Sequence, residues 1–183
     1  MEFAAVILSG LSLVVAIVGT TLSNRRSNEA LRESRKAAAS ALWSGVQDAV
    51  QRFIGFDPAR EAVGERLSNL RIAGIALIDE LDDWPGLDAW LEAERALGAA
   101  LALDVMENAK PDDSTERRLA ILDSYQLWAQ ALSSNLRQFR ARGYDADAVV
   151  SLRSAAEQNQ RSVYEKHGWP LPTAPSESKL KPL

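Results

Sequence analysis

The chain contains no cysteine and a single histidine, His167. The first absence removes disulfides, thiolate nucleophiles and every cysteine-based zinc or iron-sulfur site. The second leaves any catalytic triad or metal cluster that needs imidazole to be built around one residue near a helix end. Di-iron bundles use Glu-x-x-His pairs, and here Tyr164 stands three residues before His167. A cation at that place instead suits the C-terminal end of a helix dipole. Neither a phosphate-binding glycine loop nor a G-x-S-x-G nucleophile elbow occurs. The acidic cluster Asp79, Glu80, Asp82 and Asp83 lacks the glycine and spacing of a calcium loop and reads as a solvated helix end. The expectation is therefore no enzyme, no catalytic residues, no cofactor, no metal and no small-molecule substrate.

Charge is also missing where it would normally appear. Residues Phe3 to Leu22, FAAVILSGLSLVVAIVGTTL, run for twenty positions without one ionisable side chain. At 1.5 Å per residue such a helix spans about 30 Å, the thickness of the hydrocarbon core. The run predicts a transmembrane anchor over residues 1–24 that is retained as a signal-anchor, because no positive n-region or small-x-small cleavage site accompanies it. Five basic residues follow it: Arg25, Arg26, Arg32, Arg35 and Lys36. With Glu29 and Glu33 they give that stretch a net charge of +3. By the positive-inside rule the N-terminus lies outside and the body in the cytoplasm, which puts a bacterial protein in the plasma (inner) membrane. The same collar can touch anionic membrane lipids. Setting aside this stretch and Glu2 leaves −6 on the rest of the chain, which argues against nucleic acid as a partner.

Ala5, Ser9, Ser12, Ala16, Gly19 and Ser23 recur at steps of four and three, which lines one helix face with small residues. Small residues let helices approach closely in lipid, so this face is a candidate self-association seam for a homodimer. Ser27, Ala30, Ser34, Ala37 and Ala41 extend it in coiled-coil fashion.

Proline is absent from Ser23 to Phe56. That stretch reads as a juxtamembrane helix over 25–56 that becomes amphipathic through Leu42, Val46, Ala49, Val50 and Phe53. The remaining body, 57–169, carries four further helical patterns. Asp57-Pro58 is a start signal for a helix running to about Leu81, with Gly74 marking either a weak point or a close neighbour. The next pattern runs from Leu87 to about Asn108. A third is introduced by Asp113 and Glu116 at capping-box spacing and ended by Gly143. The last covers about Asp145 to His167, where Asn159 interrupts the apolar row and predicts half burial. Residues 170–183, rich in proline, serine and lysine, read as a flexible tail. No stretch alternates as a strand does. The expected fold is all-α: a transmembrane helix continuing into a cytoplasmic antiparallel helical bundle.

Tryptophan is plentiful, with five residues. Trp43, Trp90 and Trp128 fall on apolar faces and read as core. Trp84 and Trp169 sit beside loops and are the candidate protein-interface residues. The function expected from these features is a membrane-anchored adaptor, tether or regulator acting through a protein partner or a second copy of itself. The alternative is a membrane-perturbing, phage-type accessory protein whose anchor is the active part, and an unrecognised enzyme ranks third.

Overall fold

The computed structural model describes residues 30, 33, 34, 36–81 and 83–172. The expected anchor over Phe3 to Leu22, the seam from Ala5 to Ser23, and Arg25, Arg26, Arg32 and Arg35 of the collar lie outside the described residues. Among the described residues no helix is long and apolar enough to cross a membrane. Two compact units divide the chain, Met1–Ala41 and Leu42–Leu183. In the first, residues 30, 33, 34 and 36–41 are helical. Ala30, Ser34, Lys36, Ala37 and Ala41 are all exposed there.

The second unit is all-helical. Helix α1 covers its residues 42–51, and α2 (Gly64–Glu80), α3 (Leu87–Asn108), α4 (Thr115–Arg142) and α5 (Ala146–His167) follow. The expected α1 face is the buried one: Val46, Val50 and Phe53 are fully enclosed. Past α1, Gly55 takes φ 78° and its N–H donates to Gln126 Oε1 at 2.7 Å, while Gln126 Nε2 donates to the Phe56 carbonyl at 2.9 Å. One amide side chain of α4 thereby satisfies backbone groups of the turn that follows α1.

Helix α3 is the centre of the body. It packs against α2, α4 and α5, and Trp90, Leu97, Ala100, Leu101, Ala102 and Val105 are among its buried residues. This explains its alanine content, since small side chains admit neighbours on several sides. Helix α5 buries only Val149 and Ala156, in keeping with the interrupted apolar row.

Three expectations need correction. The second helix begins at Gly64 rather than at Asp57-Pro58. Asp57 does cap a free N–H, that of Ala59 at 3.0 Å, but only for an isolated turn, because its other oxygen is held by Arg60 at 3.5 Å and by Arg118 of α4 at 3.7 Å. The N-cap of α4 is Ser114, which accepts from the Arg117 N–H at 3.2 Å. Asp113 is instead occupied by the Lys110 N–H at 2.7 Å and Arg117 Nε at 2.9 Å. Finally, the bundle is not antiparallel throughout. Gly74 faces Leu91 across a short connection, Trp90 meets Phe139 while Glu94 meets Trp128, and Ser44 meets Arg140 while Gln51 meets Ser133, so α2–α3, α3–α4 and α1–α4 are antiparallel. Gly86 lies against Val149, whereas Asp104 holds Lys166 and His167, so α3 and α5 run parallel. Short loops fix sequential neighbours as antiparallel; they do not say that α5 will settle beside α3.

Candidate functional site

Because α5 docks on α3, a groove opens between α4 and α5 with α3 as its floor. Its volume is about 530 Å³. Leu97 and Leu101 contribute from α3, Leu127 and Trp128 from α4, and Leu152 and Val163 from α5. Ser124, Asn135, Asn159 and Ser162 supply polar groups along the same walls. Leu127 is 56% exposed, a large apolar side chain with no cover.

The floor carries a carboxylate. Glu94, 7% exposed, lies on the α3 row made by Trp90, Leu97 and Leu101. Trp90 Nε1 donates to one of its oxygens at 2.9 Å and Trp128 Nε1 to the other at 3.0 Å. Burial pushes the Glu94 carboxyl above its usual range, and the two indole N–H donors work against that shift without cancelling it. Each indole, itself buried, needs an acceptor. A carboxylate offers one oxygen to each and retains lone pairs for a further donor.

Trp128 reaches Glu94 because Gly98 stands one helical turn further along α3. A Cβ at Gly98 would overlap Cη2 and Cζ2 of the Trp128 ring. The close approach anticipated at Gly74 belongs here instead, since a Cβ at Gly74 would meet Leu91 Cδ1 at an ordinary 3.7 Å. The sequence reading missed both Glu94 and Gly98. A signal existed: a glutamate at steps of four and three between Trp90, Leu97 and Leu101 is a charge in an otherwise apolar stripe, which demands partners.

A second polar cluster closes the far end of α3 on α5. Asp104 Oδ1 lies 2.7 Å from Lys166 Nζ and 2.5 Å from His167 Nε2, and Asn108 Nδ2 donates to it at 2.9 Å. Burial raises the Asp104 carboxyl, yet the bonds from Lys166 and His167 outweigh it and hold the group below its usual range. His167 stacks on Trp169 with ring centroids 4.2 Å apart and planes 11° from parallel, and Tyr164 meets Trp169 edge-on at 5.7 Å.

The residues singled out from sequence are scattered. Trp84 is half-buried among Trp43 at 5.6 Å, Phe139 at 6.0 Å and Tyr144 at 5.4 Å, where it joins the α2–α3 connection to α1 and α4. Trp169 is half-buried on the α5 end. Neither lines the groove. Trp43, Trp90 and Trp128 are buried as expected. No group of three or more potential metal ligands occurs among the described residues. Comparison with protein-family models, with characterised proteins and with solved structures finds no significant match to this chain.

Proposed function

We propose that the protein is a membrane-tethered adaptor whose helical body holds an amphipathic helix of another protein in the groove between α4 and α5. The observation that carries this reading is the groove itself: consecutive helices stand apart and leave Leu127, Leu152 and Val163 around a floor of Leu97, Leu101 and Glu94. A channel walled by helices with apolar sides suits a helix laid along it. Glu94, with lone pairs left after both indoles are served, favours a ligand helix bearing a lysine, arginine or amide. In this reading Phe3 to Leu22 supply the anchor, with the N-terminus outside and the body in the cytoplasm. The seam from Ala5 to Ser23 pairs two anchors, and the collar from Arg25 to Lys36 rests on lipid headgroups. The length of the uncharged run and the asymmetry of flanking charge support that topology.

The test places a photocrosslinking amino acid at Leu127 or at Arg137, which is exposed on α4 outside the groove, in full-length protein expressed in native membranes. Adducts to a second protein from position 127 and not from 137 are expected. Equal labelling from both positions, or none from either, rules out the groove as the docking surface.

A further inference from the structure

Beside the first turns of α4 lies a cavity of about 400 Å³ with a different chemistry. Arg60 from the turn after Asp57, Lys110 from the α3–α4 connection and Arg118 from the first turns of α4 all line it, and no carboxylate does among the described residues. Arg118 is the least exposed of the three cations. Its side chain is only 13% exposed, and its Nε and Nη1 are enclosed with no hydrogen-bond acceptor. The carboxylates beside it are each shared with other partners. Asp57 gives one oxygen to the Ala59 N–H, and its other oxygen, shared with Arg60, remains 3.7 Å from Arg118 Nε. Asp113 serves the Lys110 N–H and Arg117 Nε. One carboxylate shared between Arg60 and Arg118 leaves the three cations in excess, and a half-buried guanidinium in such a setting is stabilised by a further anion.

We infer that Arg60, Lys110 and Arg118 form a binding site for a phosphate group, carried by a phosphate ester. Cations from three separate segments converge on one space, which suits a group with several acceptor oxygens, and guanidinium groups suit phosphate by their paired donors. The cavity exceeds what a bare phosphate fills. Met106, Ala109 and Pro111 supply apolar wall for the rest of the ester. The same chemistry is presented by a phospholipid headgroup and by a free phosphorylated metabolite.

The test uses the purified full chain in a neutral detergent, with inorganic phosphate as probe and ionic strength held constant with chloride. Phosphate is expected to raise Tm in a saturable way, and the midpoint of that titration gives an apparent Kd. Arg118→Gln can unfold the region by stranding Asp57, so the variants that decide are Arg60→Gln and Lys110→Gln, both at exposed residues. Combined, they should leave Tm without phosphate almost unchanged and weaken the phosphate midpoint by about tenfold, as loss of charge-assisted bonds implies. Doping the micelles with phosphatidic acid distinguishes the sources: a headgroup site is already filled and phosphate adds nothing, whereas a metabolite site still responds. Both outcomes uphold a phosphate site. The proposal is overturned if Tm responds to chloride as it does to phosphate, or if the double variant responds as the parent does.

Discussion

Helix α3 carries two carboxylates about three turns apart that face opposite problems. Glu94 is enclosed with two neutral indole donors, while Asp104 sits at the rim with Lys166 and His167. Burial acts on both in the same direction; the partners decide the outcome. Neutral donors leave Glu94 raised, and donors that include a cation leave Asp104 lowered. The two ends of α3 therefore hold their neighbours by different means. At the Glu94 end a shared acceptor fixes the indole of α4 against the floor of the groove. At the Asp104 end an ion-paired clasp fixes the end of α5.

The largest break in this comparison comes from Glu94→Gln. The amide has one acceptor oxygen and an NH2 group, so one buried indole must face a donor. Stranding such a group costs about 1–3 kcal/mol, with lost packing around Trp128 in addition. Urea denaturation of the full chain should show a loss of about 3 kcal/mol. Asp104→Asn, at a side chain 14% exposed and next to solvent, should lose only about 1 kcal/mol. Asparagine retains an acceptor for Lys166 or His167, and water reaches the remainder. Equal losses at the two positions would mean that solvent enters the groove as far as the indoles, and that the two ends are alike.

A second break uses glycine. Gly98→Ala forces the methyl group into Trp128, and overpacking of that kind costs about 1–3 kcal/mol. Gly74→Ala, in a helix with only ordinary contact to Leu91, should instead stabilise by about 0.5–1 kcal/mol through the lower entropy of the unfolded chain. Thermal unfolding of the two variants should thus shift in opposite directions. Loss in both would show that α2 sits closer to α3 than the 3.7 Å contact implies.

How much of this was legible in the sequence follows from range. Leu87, Asn108, Gly143 and Asp145 mark helix limits through local backbone chemistry, and the helices begin or end where they stand. Asp57 and Asp113 also carry local cap chemistry, but both are drawn off by arginines, Asp57 by Arg118 from far along the chain and Asp113 by Arg117 one turn away. Local preference loses there because an ion pair competes for the same oxygens. The groove was not legible, since it depends on α5 choosing α3 as its neighbour, a decision shared among Val149, Ala156 and the Asp104 clasp. Trp84 shows the same limit: a residue beside a loop looks available until Trp43, Phe139 and Tyr144 are folded around it.

The smallest effect is the most discriminating, because only the part of each interaction that depends on protonation is titrated. Asp104 has a folded pKa below its unfolded value of about 3.9. Its contribution is therefore present above that pH and is lost as pH falls through the folded value. Glu94 has a folded pKa above its unfolded value of about 4.3. The folded state binds its proton more tightly, so the native protein is favoured below that pH and loses this advantage as pH rises through the folded value. Stability measured by urea denaturation from pH 7 down to pH 3, as a difference between each variant and the parent, should then diverge. The loss caused by Asp104→Asn shrinks on acidification, because the parent loses the same clasp. The loss caused by Glu94→Gln grows, because the parent alone gains by taking up a proton. Parallel slopes would mean that Glu94 is hydrated in the folded protein, and the groove would then have a wet floor where the two indoles now imply a dry one.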